Sequence, residues 1–125
     1  NSDIICTTTP STTPVLPDDK ELLRGKCIIA IGSYMPEMRE IPDAVLDLVD
    51  NVYIELPYAC EESGDLSQPL ASGKLTKDRI KLMHEYLISG EKEIKEGQTT
   101  YFKSVGMGLF DVCIAQKLYE VAKEK

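Results

Sequence analysis

The chain has 125 residues, enough for one ordinary domain and too few for two. Hydrophobic residues make up 42% and charged residues 28%, the balance of a folded globular protein rather than a disordered one. Acidic residues outnumber basic ones by 21 to 14, for a formal charge of -7, which weighs against nucleic acid and anionic membrane surfaces as partners.

The chain opens on Asn1-Ser2-Asp3-Ile4-Ile5-Cys6, with no initiator Met, and this predicts a chain that starts inside a larger protein. Asp3–Thr7 (DIICT) reads as a first strand and Cys27–Ile31 (CIIAI) as a second. Both are nearly continuous in apolar character, which predicts strands covered on both faces, as in a parallel sheet. Between them, Asp18-Asp19-Lys20-Glu21 sets a capping Asp three residues before a Glu and opens a short helix to Leu23, stopped at Arg24-Gly25. Pro42-Asp43 starts a second helix with Val45, Leu46, Leu48 and Val49 on its apolar face.

Val52–Leu56 (VYIEL) is a third strand, followed by a helix over Pro57–Gly64. Thr76 is expected to cap a further helix in which Ile80, Met83, Leu87 and Ile88 recur at helical spacing before Gly90 ends it. Glu91–Gln98 reads as a solvated connector, and Thr100–Val105 (TYFKSV) as a fourth strand. A final helix runs from about Leu109 to Lys123. Phe110, Val112, Cys113, Ile114, Leu118 and Val121 lie around much of its circumference, which predicts packing against a sheet. Lys123 and Lys125 complement its dipole. Strands alternating with helices specify an α/β domain with a mainly parallel sheet.

No leader pattern is visible, and the charge-free stretches are shorter than 18 residues and contain Pro or Gly, so no membrane span is expected. Cys6, Cys27, Cys60 and Cys113 form no Cys-x-x-Cys pair and read as buried free thiols in a reducing cytoplasm. With a single histidine, His84, a zinc site is not expected. His84 reads as a surface or boundary residue of its helix. Glu61, Glu62 and Asp65 read as a solvated acidic face.

Ligands of open α/β sheets bind beyond the carboxyl ends of the strands. Those ends carry Thr7-Thr8-Thr9-Pro10-Ser11, Gly32-Ser33-Tyr34-Met35-Pro36, Pro57-Tyr58-Ala59 and Ser104-Val105-Gly106-Met107-Gly108. Hydroxyls supply donors and acceptors, while glycines let backbone N–H groups approach a phosphate or a flat ring. The same residues also make ordinary turns. Their coincidence at one edge favours a crevice for a nucleotide or a small polar molecule. There is no nucleophile elbow, no Walker loop and no Gly-x-Gly-x-x-Gly.

DIICTTTPSTTPVL, CIIAIGSYMPEMREIP, EESGDLSQPL and TTYFKSVGMGLFDVCIAQ, in this order, resemble the ornithine cyclodeaminase/μ-crystallin family across nearly the whole chain. The resemblance implies a partial Rossmann-like domain, the C-terminal portion of an NAD(P)-binding domain. The Gly-x-Gly-x-x-Gly unit and the substrate and dimerisation region are expected to lie outside this chain. It implies an NAD or NADP cofactor, a small amino-acid or imine substrate, and a homodimeric parent. By correspondence, Thr9 contacts the dinucleotide, Ile31, Gly32, Ser33 and Tyr34 form the loop passing the nicotinamide side, Ser104 lies near the carboxamide, and Val105 faces substrate.

Two positions depart from the cyclodeaminase pattern G-(A/G)-D-x-P-G-K: Tyr34 stands where that pattern has Asp, and Met38 where it has Lys. The Asp is the cyclodeaminase's candidate acid/base, and a phenol, with an ordinary pKa of about 10, replaces it poorly at neutral pH. The resemblance therefore implies NAD(P)H-dependent reduction of a cyclic ketimine carboxylate, or the reverse amino-acid dehydrogenation, with little activity in this chain alone. Ornithine cyclodeamination and ligand binding without turnover are the alternatives.

Overall fold

The computed structural model describes residues 2–90 and 94–123. Its centre is a five-stranded, all-parallel sheet in the order β1-β2-β5-β3-β4, built from β1 (Ile4–Thr7), β2 (Cys27–Ala30), β3 (Val52–Ile54), β4 (Ile80–Leu82) and β5 (Thr100–Lys103). Six helices connect or follow them: α1 (Lys20–Leu23), α2 (Asp43–Leu48), α3 (Ala59–Glu62), α4 (Gly64–Ser72), α5 (Met83–Ser89) and α6 (Gly108–Lys123). Because every strand runs the same way, all the strand-end loops emerge at one edge.

The hydrophobic core lies on one face of this sheet. Ile28 and Ala30 of β2, Val52 and Ile54 of β3 and Tyr101 of β5 pack with Leu23 of α1, Val45 and Leu46 of α2 and Leu66 of α4. On the other face Cys27, Ile29, Thr100 and Phe102 stay half-buried, and Ile4 at the edge is 62% exposed. The expected burial of both faces is thus corrected: among the described residues β1 and β2 are covered on one side only. On that second side, α5 reaches β3 through Tyr86, whose ring lies 5.1 Å from that of Tyr53.

Several element expectations are also corrected. The segment after Thr76 is not one helix. A 3-10 turn over Lys77–Arg79 leads into β4, which pairs with β3 from Val52↔Ile80 to Ile54↔Leu82, and α5 begins only at Met83. Arg79 fixes this path by donating to the carbonyls of Leu46, Val49 and Asp50 at 2.6, 2.6 and 3.1 Å, which satisfies carbonyls left open at the end of α2. Gly90 does end α5, at φ +67°.

The helix expected over 57–64 breaks at Ser63, which adopts extended backbone and caps α4. At α1 the cap is Asp19 rather than Asp18; Asp18 instead accepts from the Ala44 N–H at the start of α2. Cys6 and Cys113 are exposed, and Cys27 and Cys60 are half-buried, so the thiols are not all interior. His84 is on the surface as expected. Of the expected connector 91–98, residues 91–93 lie outside the described residues, as does Lys125, and residues 94–97 are exposed.

The largest departure is α6. Every described residue of this 16-residue helix is exposed, including Ile114 at 63% and Leu118 at 66%. Apolar residues all round a helix say that it has surface to bury, not which element buries it. No helix among the described residues is long and apolar enough to cross a membrane.

Candidate functional site

The carboxyl edge of the sheet is organised by buried acids. Glu40, just beyond the loop that follows β2, is fully buried. Its Oε1 accepts from the Thr9 N–H at 2.6 Å and from the Thr9 hydroxyl at 2.9 Å. Its Oε2 accepts from the Thr7 hydroxyl at 2.9 Å and from the Gly32 N–H at 2.8 Å. Burial pushes the Glu40 carboxyl up, and the bonds from Thr9, Thr7 and Gly32 together outweigh it and hold it below the ordinary carboxylate value. Gly32 is required at this junction, since a Cβ there would stand 2.2 Å from the backbone N and O of Thr9.

Glu55, the residue after β3, performs the matching task for the loop that follows β5. Its Oε1 accepts from the Ser104 hydroxyl at 2.9 Å and from the N–H groups of Val105 and Gly106 at 2.6 and 3.2 Å. Its Oε2 is buried without a donor among the described residues. Tyr58 closes the same loop from outside, its hydroxyl donating to the Gly106 carbonyl at 2.9 Å.

Beneath both lies Lys103, the last residue of β5, on the core face beside Tyr101 and fully buried. Its Nζ stands 3.5 Å from Oδ2 of Asp65, while Asp65 Oδ1 accepts from the N–H groups of Glu40 and Ile41 at 2.7 and 2.9 Å. Burial raises the Asp65 carboxyl and lowers the Lys103 ammonium, in each case against the attraction of the other. Desolvation therefore dominates this pair. Asp65 is thereby corrected from a solvated acid to an interior one, because α4 starts at Gly64 and turns it inward; Glu61 and Glu62 are exposed as expected.

Thr9 is half-buried beside the exposed Ile31 and the half-buried Gly32. Tyr34 is 55% exposed. Ser33 is fully buried, donating to the Met38 carbonyl at 2.8 Å and sharing a 2.8 Å hydrogen bond with the Ser63 hydroxyl, so its side chain braces the loop against α4. Ser104 is buried with its hydroxyl on Glu55, and Val105 is half-buried. Glu40 joins Thr9 and Gly32, and Glu55 joins Ser104 and Val105. A separate cavity of about 410 Å³, lined mainly by apolar side chains including Ile54, Pro57, Cys60, Leu70, Ile80 and Leu82, contains none of these candidate residues.

The strand-end amides of Thr9, Gly32, Val105 and Gly106 are thus already committed to carboxylates, and the floor holds Glu40, Glu55 and Asp65 against Lys103. These four amides are therefore not free to bind a phosphate. What the edge presents to a ligand is the exposed side chains of Ile31 and Tyr34, which suit a flat group. Residue type alone does not single out Glu40, Glu55, Asp65 and Lys103. The one available signal is the strand period of 2, which sets Lys103 on the same face as Tyr101.

The model of the family described as Ornithine cyclodeaminase/mu-crystallin family matches residues 1–125. The Delta(1)-pyrroline-2-carboxylate reductase of Bacillus cereus (strain ATCC 10987 / NRS 248) is 39% identical across 99% of this chain and 38% of its own length. The crystal structure of a probable ornithine cyclodeaminase from Bordetella pertussis Tohama I superposes at TM-score 0.80 and 30% identity, over 100% of this chain and 40% of that one. The Thermococcus litoralis Delta(1)-pyrroline-2-carboxylate reductase, in complex with NADH and L-proline, superposes at TM-score 0.74 and 25% identity, over 97% of this chain and 37% of that one. The chain spans about two-fifths of the length of these relatives.

Proposed function

The chain belongs to the ornithine cyclodeaminase/mu-crystallin family, and from that premise we propose that it forms the nicotinamide side of an NAD(P)-binding Rossmann-like domain. The whole protein is proposed to be an oxidoreductase that reduces a cyclic ketimine carboxylate of the pyrroline or piperideine type, or dehydrogenates the corresponding amino acid. Residues 1–125 are read as the C-terminal portion of the cofactor domain, in a homodimeric, cytoplasmic enzyme. The observation that carries this reading is the strand-end crevice: its amides are spent on Glu40 and Glu55, which leaves it suited to the nicotinamide end of a dinucleotide rather than to the pyrophosphate.

When bound, the dinucleotide supplies the hydride for imine reduction. The chain's own contribution is to bind and orient. Gly32 lets the loops after β1 and β2 meet at the crevice, Ile31 and Tyr34 offer exposed side chains to a flat ring, and Thr9, whose hydroxyl proton is held by Glu40, offers its oxygen as an acceptor. Ser104, its hydroxyl held by Glu55, sets its loop near the carboxamide, and Val105 faces the substrate. Tyr34 in place of the cyclodeaminase Asp supports reduction over cyclodeamination.

The test is a titration of the isotopically labelled chain with NADH, followed by amide chemical shifts. Shifts are expected at Thr9, Ile31, Gly32, Ser104 and Val105; no shifts, or shifts confined to other regions, would overturn the assignment. In the complete enzyme, NAD(P)H-dependent reduction of pyrroline-2-carboxylate is expected. Conversion of ornithine to proline and ammonia without imine reduction would overturn the choice of reaction. The chain alone is expected to show no turnover.

A further inference from the structure

We propose that Glu40 is a positioning residue that clamps the loop after β1 to the loop after β2, and so fixes the relative placement of Thr9 and Gly32 at the crevice. Its consequence for a ligand rests on the reading of those loops as dinucleotide-facing. The clamp itself stands on the contacts of the chain.

Each oxygen of Glu40 takes two donors: Thr9 N–H and Oγ1 on Oε1, Thr7 Oγ1 and Gly32 N–H on Oε2. Only a carboxylate offers four acceptor positions and no donor in this space. A glutamine would turn its NH2 toward one backbone N–H in either orientation, that of Thr9 or that of Gly32, so the two amides could not both be held. Among the described residues no lysine or arginine forms an ion pair with Glu40, so the loop donors are what hold its charge in the interior. The anchor below is rigid, because the Glu40 N–H is fixed by Asp65, which faces Lys103 on β5. The sheet itself does not depend on the clamp: β1 and β2 pair over Ile4–Thr7 and Cys27–Ala30, before the loops begin. Glu40 therefore adjusts loop placement on a sheet that is already assembled.

The experiment compares amide hydrogen exchange and NADH titrations of the wild-type chain, Glu40→Gln and Gly32→Ala. In Gly32→Ala the carboxylate is intact, but the new Cβ would meet Thr9 N and O at 2.2 Å and Glu40 Oε1 at 2.6 Å, forcing the loops apart. In Gly32→Ala the Thr9 amide, and in Glu40→Gln whichever of the Thr9 and Gly32 amides meets the new NH2, is expected to exchange at least about tenfold faster, while Ile28 and Tyr101 in the sheet keep their wild-type rates. NADH affinity is expected to fall by a similar factor in both variants. Unchanged exchange at both Thr9 and Gly32 in folded Glu40→Gln, or at Thr9 in folded Gly32→Ala, overturns the clamp. So does equal acceleration at Ile28 and Tyr101, which would make Glu40 a general scaffold residue. If Glu40→Gln does not fold, Gly32→Ala decides. If wild-type chain shows no NADH-induced shift, the dinucleotide reading fails, and the clamp is judged on exchange alone.

Discussion

Replacing Lys103 with methionine tests the interior ion pair from its cationic side. The side chain is fully buried, so methionine keeps most of its volume and its apolar contacts. What disappears is the charge 3.5 Å from Asp65 Oδ2. At an effective dielectric of about 20 that attraction is roughly 5 kcal/mol. The loss is reduced because lysine no longer has to be desolvated, and because Glu40 and Ile41 still donate to Asp65. Removing one partner of a buried pair leaves a net cost of about 3 kcal/mol, a large fraction of the stability of a domain this size.

Urea unfolding followed by circular dichroism measures that cost, and pH identifies its origin. Burial already raises the Asp65 carboxyl above its ordinary 3.8, so the folded state binds that proton more tightly than the unfolded chain. Such a carboxyl opposes folding at pH above its folded value, and the penalty fades as pH falls toward 3.8. Without Lys103 the carboxyl rises further. The deficit of Lys103→Met should therefore be smaller at about pH 5 than at about pH 7. Lys103→Met/Asp65→Asn should recover most of it, giving a favourable coupling between the two sites in the cycle. A variant as stable as wild type at neutral pH, or a deficit that grows on acidification, would refute the reasoning.

Three further outcomes follow from packing and exposure. Gly64→Ala places a Cβ 2.1 Å from the Met38 carbonyl and 2.4 Å from that of Pro36, and is expected to cost about 3 kcal/mol by displacing that loop from the start of α4. Gly73→Ala, with nothing within 4 Å and a φ of +76°, should cost only about 1 kcal/mol of left-handed strain, and urea midpoints that reverse this order would contradict both assignments. Deleting the chain from Gly108 onward should lower the helical dichroism yet change the unfolding free energy by less than about 0.5 kcal/mol, since every described residue of α6 is exposed. A loss of several kcal/mol would mean that α6 supports the core.

Four strands were legible because runs such as CIIAI and TYFKSV combine β-branched and aromatic residues with clear turn signals at their ends. The β4 strand was hidden because three residues are too few to show a period, and Ile80 stands three positions before Met83, as on a helix face. What makes it a strand is long-range: β3 beside it and Arg79 held by the end of α2. The loops of the site could be placed from the rule about strand ends, without any side-chain knowledge. Their internal wiring could not. Ser33 and Ser104 have the composition of ligand-facing hydroxyls, yet their oxygens bond within the protein. Glu40 and Asp65 have the composition of surface acids, and their burial depends on backbone N–H groups brought together only by the folded chain. For α6, composition recorded apolar content and could not record its partner.

The strand order has a consequence for how the chain reaches this state. β5, the last strand in sequence, lies third in space, between β2 and β3. Before Thr100–Lys103 is made, β1 with β2 and β3 with β4 are two separate two-stranded pairs, each with an open inner edge. At cellular elongation rates the interval from completing β4 at Leu82 to starting β5 at Thr100 lasts about 1–4 s. Closure then requires one strand to enter a slot and to carry a lysine out of water in the same event. Nascent chains are expected to be most open to mispairing in that interval, and the long sequence separation of the β2–β5 and β3–β5 pairings predicts that insertion of β5 is slower than the pairing of neighbours in sequence.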